Sequence, residues 1–211
     1  MKQGLFIVID GIDGSGKTEI VKMLHNYLFT KNKKYRILAT REPTNGSYGK
    51  KIREMLRKEN DPISNSEKLT ELFMKDREEH LSNTIEPFLN RSSKHELNIV
   101  ICDRYYYSTI AFQGAQGLNA KGLIKKNMAF RKPDMAFILD VEPSLALKRI
   151  EYRRREKFEQ LEFMKKIRKN FLLLPKLLED NIKIINASKP LNDVFAAIKK
   201  EIENILAHKT Y

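Results

Sequence analysis

Five short apolar runs interrupt an otherwise polar and charged chain, at 5–9 (LFIVI), 36–40 (RILAT), 98–102 (NIVIC), 136–141 (AFILDV) and 182–186 (IKIIN). Each is bounded by polar or turn-forming residues and is rich in Ile, Val, Leu or Phe without alternation, the pattern of strands covered on both faces. Between them apolar residues recur at helical spacing: Ile20, Leu24 and Leu28, then Phe158, Leu161, Met164, Ile167, Phe171, Leu174 and Leu178. A candidate C-terminal helix over 192–208 carries Val194, Ile198, Ile202 and Ile205 on one face. Strands separated by helices predict an α/β fold, a five-stranded parallel sheet with helices on both faces and right-handed crossovers. No repeat or low-complexity linker divides the chain, and 211 residues suit a single domain over 1–211.

Composition narrows the function classes. No apolar run approaches the roughly 18 residues that span a bilayer, and the first apolar run leads into a glycine-rich loop without a small-residue cleavage site. A cytoplasmic protein without membrane association is expected. The single cysteine, Cys102, excludes an internal disulfide framework and a cysteine-based zinc cluster, and its apolar surroundings predict a buried, inert thiol. Forty Lys and Arg against 27 Asp and Glu give a net charge of +13, which favours polyanionic partners. The most basic stretch, 148–169, has ten basic residues against four acidic ones. Charge alone does not choose between nucleic acid, a membrane surface and nucleotide phosphates.

The choice comes from "GIDGSGKT" at 11–18, which follows a predicted strand and opens a predicted helix. Gly11, Ile12, Asp13, Gly14, Ser15, Gly16, Lys17 and Thr18 fit a phosphate-binding loop, whose glycines let successive N–H groups face an anion at a helix N-terminus. Lys17 is expected at the β- and γ-phosphates and the Thr18 hydroxyl on Mg²⁺. A guanine-reading element needs a carboxylate after a late strand; "NASK" at 186–189 lacks it, which favours ATP.

Three further stretches follow strands or lie on a helical segment: "TREPTNGSYGKKIR" (40–53), "LFMKDR" (72–77) and "CDRYYYSTIAFQG" (102–114). In an open parallel sheet the carboxyl ends of the strands share one cleft. Transfer of a phosphoryl group between two anions needs cations on both, and Arg41, Arg53 and Arg104 offer planar forks for that. Asp103 ends an apolar run, where a carboxylate can serve magnesium or position a reactant. Phe73 and Arg77 are four apart and share a helix face.

In this order and spacing, these elements resemble the thymidylate kinases across most of the chain. The resemblance implies a nucleoside-monophosphate kinase type of P-loop fold, usually a homodimer, which phosphorylates dTMP to dTDP with ATP and Mg²⁺ and needs no nucleic acid. It implies catalytic roles for Lys17, Asp103 and Arg104, and a dTMP phosphate near Arg53 and Arg104. Phe73 is then expected to stack on the pyrimidine, Arg77 to donate to its O4 and Gln113 to accept from N3–H. A cytosine amino group would oppose Arg77 donor to donor. Asp13 is expected at the acceptor sugar, and Ser108 belongs to the matching "ST" of the acceptor segment. Gly14 stands where some members carry an assisting arginine; members without it supply the cation from the lid, here about 149–160, with Arg153 favoured over Arg154 and Arg155. Two departures are "NGSYG" after "TREPT", which leaves that loop's geometry open, and the triplet Tyr105, Tyr106 and Tyr107, one of which is expected to crowd the sugar's 2′ position. Competing readings are a same-fold kinase for dUMP, UMP or a nucleoside, and a nucleic-acid-stimulated ATPase. The last leaves Phe73 and Arg77 without a role.

Overall fold

The computed structural model describes residues 4–58, 65–93, 95–150 and 161–208. Five parallel strands, β1 (Leu5–Gly11), β2 (Tyr35–Arg41), β3 (Leu97–Asp103), β4 (Met135–Asp140) and β5 (Ile182–Asn186), lie in the order β2-β3-β1-β4-β5. This is the predicted α/β sheet, with each strand within two residues of its apolar run. Burial departs from the expectation at the edges. β1, β3 and β4 are buried almost throughout, whereas β2 alternates and β5 is largely open. A strand with one neighbour is covered less than one with two, and its apolar composition does not reveal which it will be.

Helix α1 (Lys17–Lys31) and the C-terminal α9 (Leu191–His208) pack together on one face of the sheet. On the other face α5 (Tyr106–Ala115) packs against α8 (Leu161–Leu177). The periodic residues turn inward: Ile20, Leu24 and Leu28 on α1, Met164, Ile167, Phe171 and Leu174 on α8, and Val194, Ile198 and Ile202 on α9 are all buried in one core. Leu161 is exposed, and Phe158 lies outside the described residues. Cys102 is fully buried and burial pushes its thiol pKa well up, as expected for an inert cysteine.

The remaining helices are α2 (Ser47–Lys58), α3 (Ser66–His80), α4 (Glu86–Leu89), α6 (Ala120–Asn127) and α7 (Pro143–Ile150); α4 meets the amino ends of β1 and β3, where the Leu89 carbonyl accepts from Gly4 N and the Phe88 carbonyl from Asn98 Nδ2. α3 continues into α4 through one π-helical turn, Leu81–Ile85. Pro87 follows it; proline has no N–H for the carbonyl four residues back and its ring crowds that carbonyl, so the wider turn relieves both problems. Among the described residues no helix is long and apolar enough to cross a membrane.

Candidate active site

β1 lies between β3 and β4, and the chain leaves it toward β2 on one side while β3 connects to β4 on the other. That reversal opens a crevice beyond the strand ends, and the loop 11–16 occupies it. Gly16 (φ 93) caps α1 in the left-handed region, a conformation L side chains resist, and so turns the first helical N–H groups toward the loop. Lys17 folds back on that loop, its Nζ donating to the carbonyls of Gly11 (3.1 Å) and Ile12 (2.8 Å) at 4.0 Å from Asp13. Burial, with Arg104 nearby, pulls its pKa down to about 8 against the opposing pull of Asp13, Asp103 and Asp10. The Thr18 hydroxyl donates to Asp103 Oδ2 at 2.8 Å, and Asp103 Oδ1 is buried without a hydrogen-bond partner. A hydroxyl and a carboxylate with a spare oxygen are hard ligands suited to Mg²⁺, which takes one or two protein oxygens and fills its octahedron with phosphates and water. The residues therefore fit the ion.

Arg104 joins the phosphate loop to α5. Its φ of 70 and its N–H bond to the Ile9 carbonyl (2.9 Å) fold the β3–α5 connection back over β1. Its guanidinium pairs with Asp13, donates to Ser108 Oγ at 3.1 Å and lies 5.4 Å from the Phe112 ring. Burial alone would raise the Asp13 carboxyl, but Arg104 and Lys17 outweigh it and hold the pKa below its usual value.

Asp10, absent from the sequence-based site, fixes this junction. It is fully buried and accepts from Gly11 N (2.8 Å), Ser108 Oγ (2.7 Å), Ser108 N (3.0 Å) and Tyr105 N (3.1 Å). Burial raises its pKa despite Arg104, Ser108 and Lys17. The available signal was a carboxylate ending the apolar run "FIVID"; its use was hidden because the partners lie 95 and 98 residues away.

Arg41 ends β2 level with Asp103 and is exposed. Arg53 is committed to the loop before it, with Nη1 on the Pro43 carbonyl (3.0 Å) and Nη2 on the Thr44 carbonyl (2.6 Å). Asp76 takes Thr44 N (2.7 Å) and Thr44 Oγ1 (2.6 Å) from below. A Cβ at Gly49 would stand 1.9 Å from the Thr44 carbonyl oxygen, so this close approach requires glycine. Together Arg53, Asp76 and Gly49 define the "PTNGSYG" loop that the sequence left open.

Phe73 is half-buried and lies outside the hydrophobic core, so it is not a core aromatic. Arg77, 1% exposed, lies between the rings of Tyr105 (5.1 Å) and Phe130 (5.3 Å). Its Nε donates to Glu42 Oε2 (2.9 Å), Nη1 to Asn127 Oδ1 (2.8 Å) and Nη2 to Thr109 Oγ1 (3.1 Å). Gln113, one helical turn beyond Thr109, is buried with Oε1 unpaired. The three tyrosines do not crowd a sugar. Tyr105, Tyr106 and Tyr107 are fully buried, with hydroxyls donating to the Arg131 carbonyl (Tyr105) and to Asp180 (Tyr106 and Tyr107). Those partners precede β4 and β5, at the opposite end of the sheet from the cleft. Burial, with Asp180 as hydrogen-bond partner, pushes the Tyr106 hydroxyl pKa upward.

A family model described as thymidylate kinase matches residues 9–198. The chain belongs to the thymidylate kinase family. Relatives include a probable thymidylate kinase of Archaeoglobus fulgidus, 37% identical over 204 residues that make up 96% of either chain. The thymidylate kinase of Desulfotalea psychrophila is 34% identical over 96% of both chains, and that of Clostridium novyi 33% identical over 94% of this chain and 98% of its own. Membership makes the chain a P-loop transferase of the nucleoside-monophosphate kinase type.

Within this chain, Gly14 has a structural reason to be glycine. Its φ is 77, and a Cβ there would stand 2.4 Å from the Ala146 carbonyl oxygen on α7. An arginine at 14 has no room unless α7 moves. Arg149, also absent from the sequence-based site, ties the same helix to two loops, donating to Gly14 O (3.5 Å) and Ala187 O (3.0 Å). Arg153, Arg154 and Arg155 lie outside the described residues.

Proposed function

We propose that this member of the thymidylate kinase family is a dTMP kinase that transfers the γ-phosphate of ATP to dTMP, giving ADP and dTDP. The observation that carries the reading is a single connected cluster: Lys17, Asp13, Arg104 and Ser108 link the phosphate loop to α5, whose Thr109 accepts from Arg77 and whose Gln113, one turn further on, is buried with an unpaired oxygen. Lys17 exchanges two loop carbonyls for phosphate oxygens, a stronger charge-assisted pairing. Arg104, at the junction, meets the acceptor phosphate, while Asp13 passes to the acceptor sugar. Thr18 and Asp103 would hold Mg²⁺, which would neutralise the phosphate charge that otherwise opposes transfer. Holding both nucleotides in line supplies the rest of the rate, and Arg153 of the lid adds positive charge at the transferred group.

Base selection follows from donor and acceptor complementarity. Gln113 Oε1 accepts N3–H and Arg77 donates to O4, a pair that dTMP and dUMP satisfy and dCMP does not. The thymine methyl adds a modest preference over uracil, worth about 1–3 kcal/mol. The same reading includes a homodimer in the cytoplasm, on the strength of the family resemblance. The test is ADP production from ATP and Mg²⁺ with dTMP, dUMP, UMP, dCMP, thymidine and single-stranded DNA as separate acceptors. Turnover is expected to be strongest with dTMP, weaker with dUMP and slight with dCMP. Turnover with thymidine or DNA alone would overturn the assignment of the acceptor.

A further inference from the structure

Arg77 has five N–H groups, and most already have protein partners. Nε donates to Glu42 Oε2, and Nη2 lies 2.9 Å from the same oxygen while donating to Thr109. One Nη1 proton goes to Asn127, which leaves a single Nη1 N–H. The partners are themselves held. Asn127 is fully buried and its Nδ2 donates to the Leu123 carbonyl at 2.8 Å, which fixes its amide orientation with Oδ1 toward Arg77. Glu42 Oε1 lies 3.2 Å from His80 Nδ1, and His80 Nε2 lies 2.7 Å from Thr40 Oγ1. A carboxylate only accepts, so Nδ1 carries the proton toward Glu42, and in the neutral ring Nε2 accepts the Thr40 hydroxyl. Donor atoms of Glu42, His80 and Cys102 lie within 4.8 Å of one another. Each already has a protein partner, with Cys102 Sγ donating to the Arg104 carbonyl, and Arg77 adds positive charge beside them. The group is therefore a hydrogen-bonded chain rather than a cation site.

We propose that Glu42 and Asn127 are positioning residues for base selection: they pin Arg77 so that it presents one fixed N–H to the acceptor base. This deepens the dTMP kinase reading and rests on its assignment of Arg77 to the pyrimidine. The physical reason lies in what a loose guanidinium can do. Cytosine offers a donor at C4 and an acceptor at N3, so an arginine free to shift can leave the amino group and donate to N3. The Gln113 amide oxygen can then accept the amino group. Fixing the fork removes that escape, and the cytosine amino group meets an N–H it cannot pair with. His80 and Thr40 extend the pin, since they keep the second Glu42 oxygen occupied and its plane fixed.

The experiment compares kcat/KM for dTMP and dCMP in Arg77→Ala, Glu42→Gln, Asn127→Ala and the Glu42→Gln/Arg77→Ala double variant, with thermal melts confirming a folded protein. The dTMP-to-dCMP ratio is expected to fall about tenfold or more in Glu42→Gln and in Asn127→Ala. The dTMP KM should rise, while kcat for dTMP and KM for ATP stay within about threefold, since only the base contact is altered. In the Arg77→Ala background Glu42→Gln should lower the ratio no further, because its effect runs through Arg77. A ratio lowered by Arg77→Ala but untouched by the other two single variants would overturn the positioning role and leave the dTMP reading intact. A ratio untouched by Arg77→Ala would overturn the base assignment itself and the positioning role with it. If Glu42→Gln does not fold, Asn127→Ala decides alone, since it shortens a neutral amide and leaves the buried Glu42–Arg77 ion pair in place.

Discussion

Replacing Gly14 by alanine tests whether the phosphate loop is shaped by its contact with α7. Two costs can be read from the structure. The first is conformational: at φ 77 an L residue is in the left-handed region, at about 1–2 kcal/mol. The second is steric: the new Cβ would lie 2.4 Å from the Ala146 carbonyl oxygen and 3.0 Å from Ile150 Cγ1. Backbone must therefore shift, which resembles overpacking at about 1–3 kcal/mol. The sum is about 2–5 kcal/mol, and at about 2–4 °C per kcal/mol for a chain of this size it lowers Tm by about 4–20 °C. Gly117 provides the control, because its φ is 98 and a Cβ there meets nothing within 4 Å. Gly117→Ala should show the conformational cost alone. Differential scanning fluorimetry of both variants with and without ATP, alongside kcat, reads the two contributions separately. Turnover should fall in Gly14→Ala, because α7 carries Arg149, whose side chain holds the Gly14 and Ala187 carbonyls. Equal Tm losses in the two variants would refute the steric argument, and an unchanged Tm in Gly14→Ala would refute both.

Lys17 makes ATP affinity depend on pH in a stated direction. Its pKa is about 8 without nucleotide and rises when phosphates favour the charged form, so affinity is fully present below pH 8 and is lost as pH climbs above it. Between pH 7 and 9 the loss is about tenfold, with a proton taken up per ATP bound near pH 9; calorimetry in buffers of different ionisation enthalpy measures both, and a constant Kd would sink the claim. Asp103→Asn removes the carboxylate opposite Thr18 and should lower kcat by about a hundredfold or more, with a higher magnesium requirement in a titration at fixed ATP. Wild-type turnover at every magnesium concentration would remove Asp103 from the metal site.

The fold was legible because its signals are local. Apolar runs and helical spacing depend on neighbours within a few residues, and the phosphate loop is a contiguous string whose glycines set their own backbone. The pair Phe73 and Arg77 could be placed on one helix face for the same reason. Tertiary structure decided what the long polar side chains do. Arg77 takes its partners from positions 35, 50 and 32 residues away, and Asp10 takes three of its four hydrogen bonds from Tyr105 and Ser108, beyond the end of β3. The spacing that puts Tyr105 after a strand does not say which way a ring turns; packing against Phe6 and Arg77 buried the ring and sent its hydroxyl to the Arg131 carbonyl. Arg53 reads in sequence as a phosphate fork, and what the sequence does not show is that the Pro43 and Thr44 carbonyls each take one of its N–H groups. A backbone conformation is set by the residue that adopts it, whereas a hydrogen bond needs a partner, and the partner is chosen only when distant segments meet.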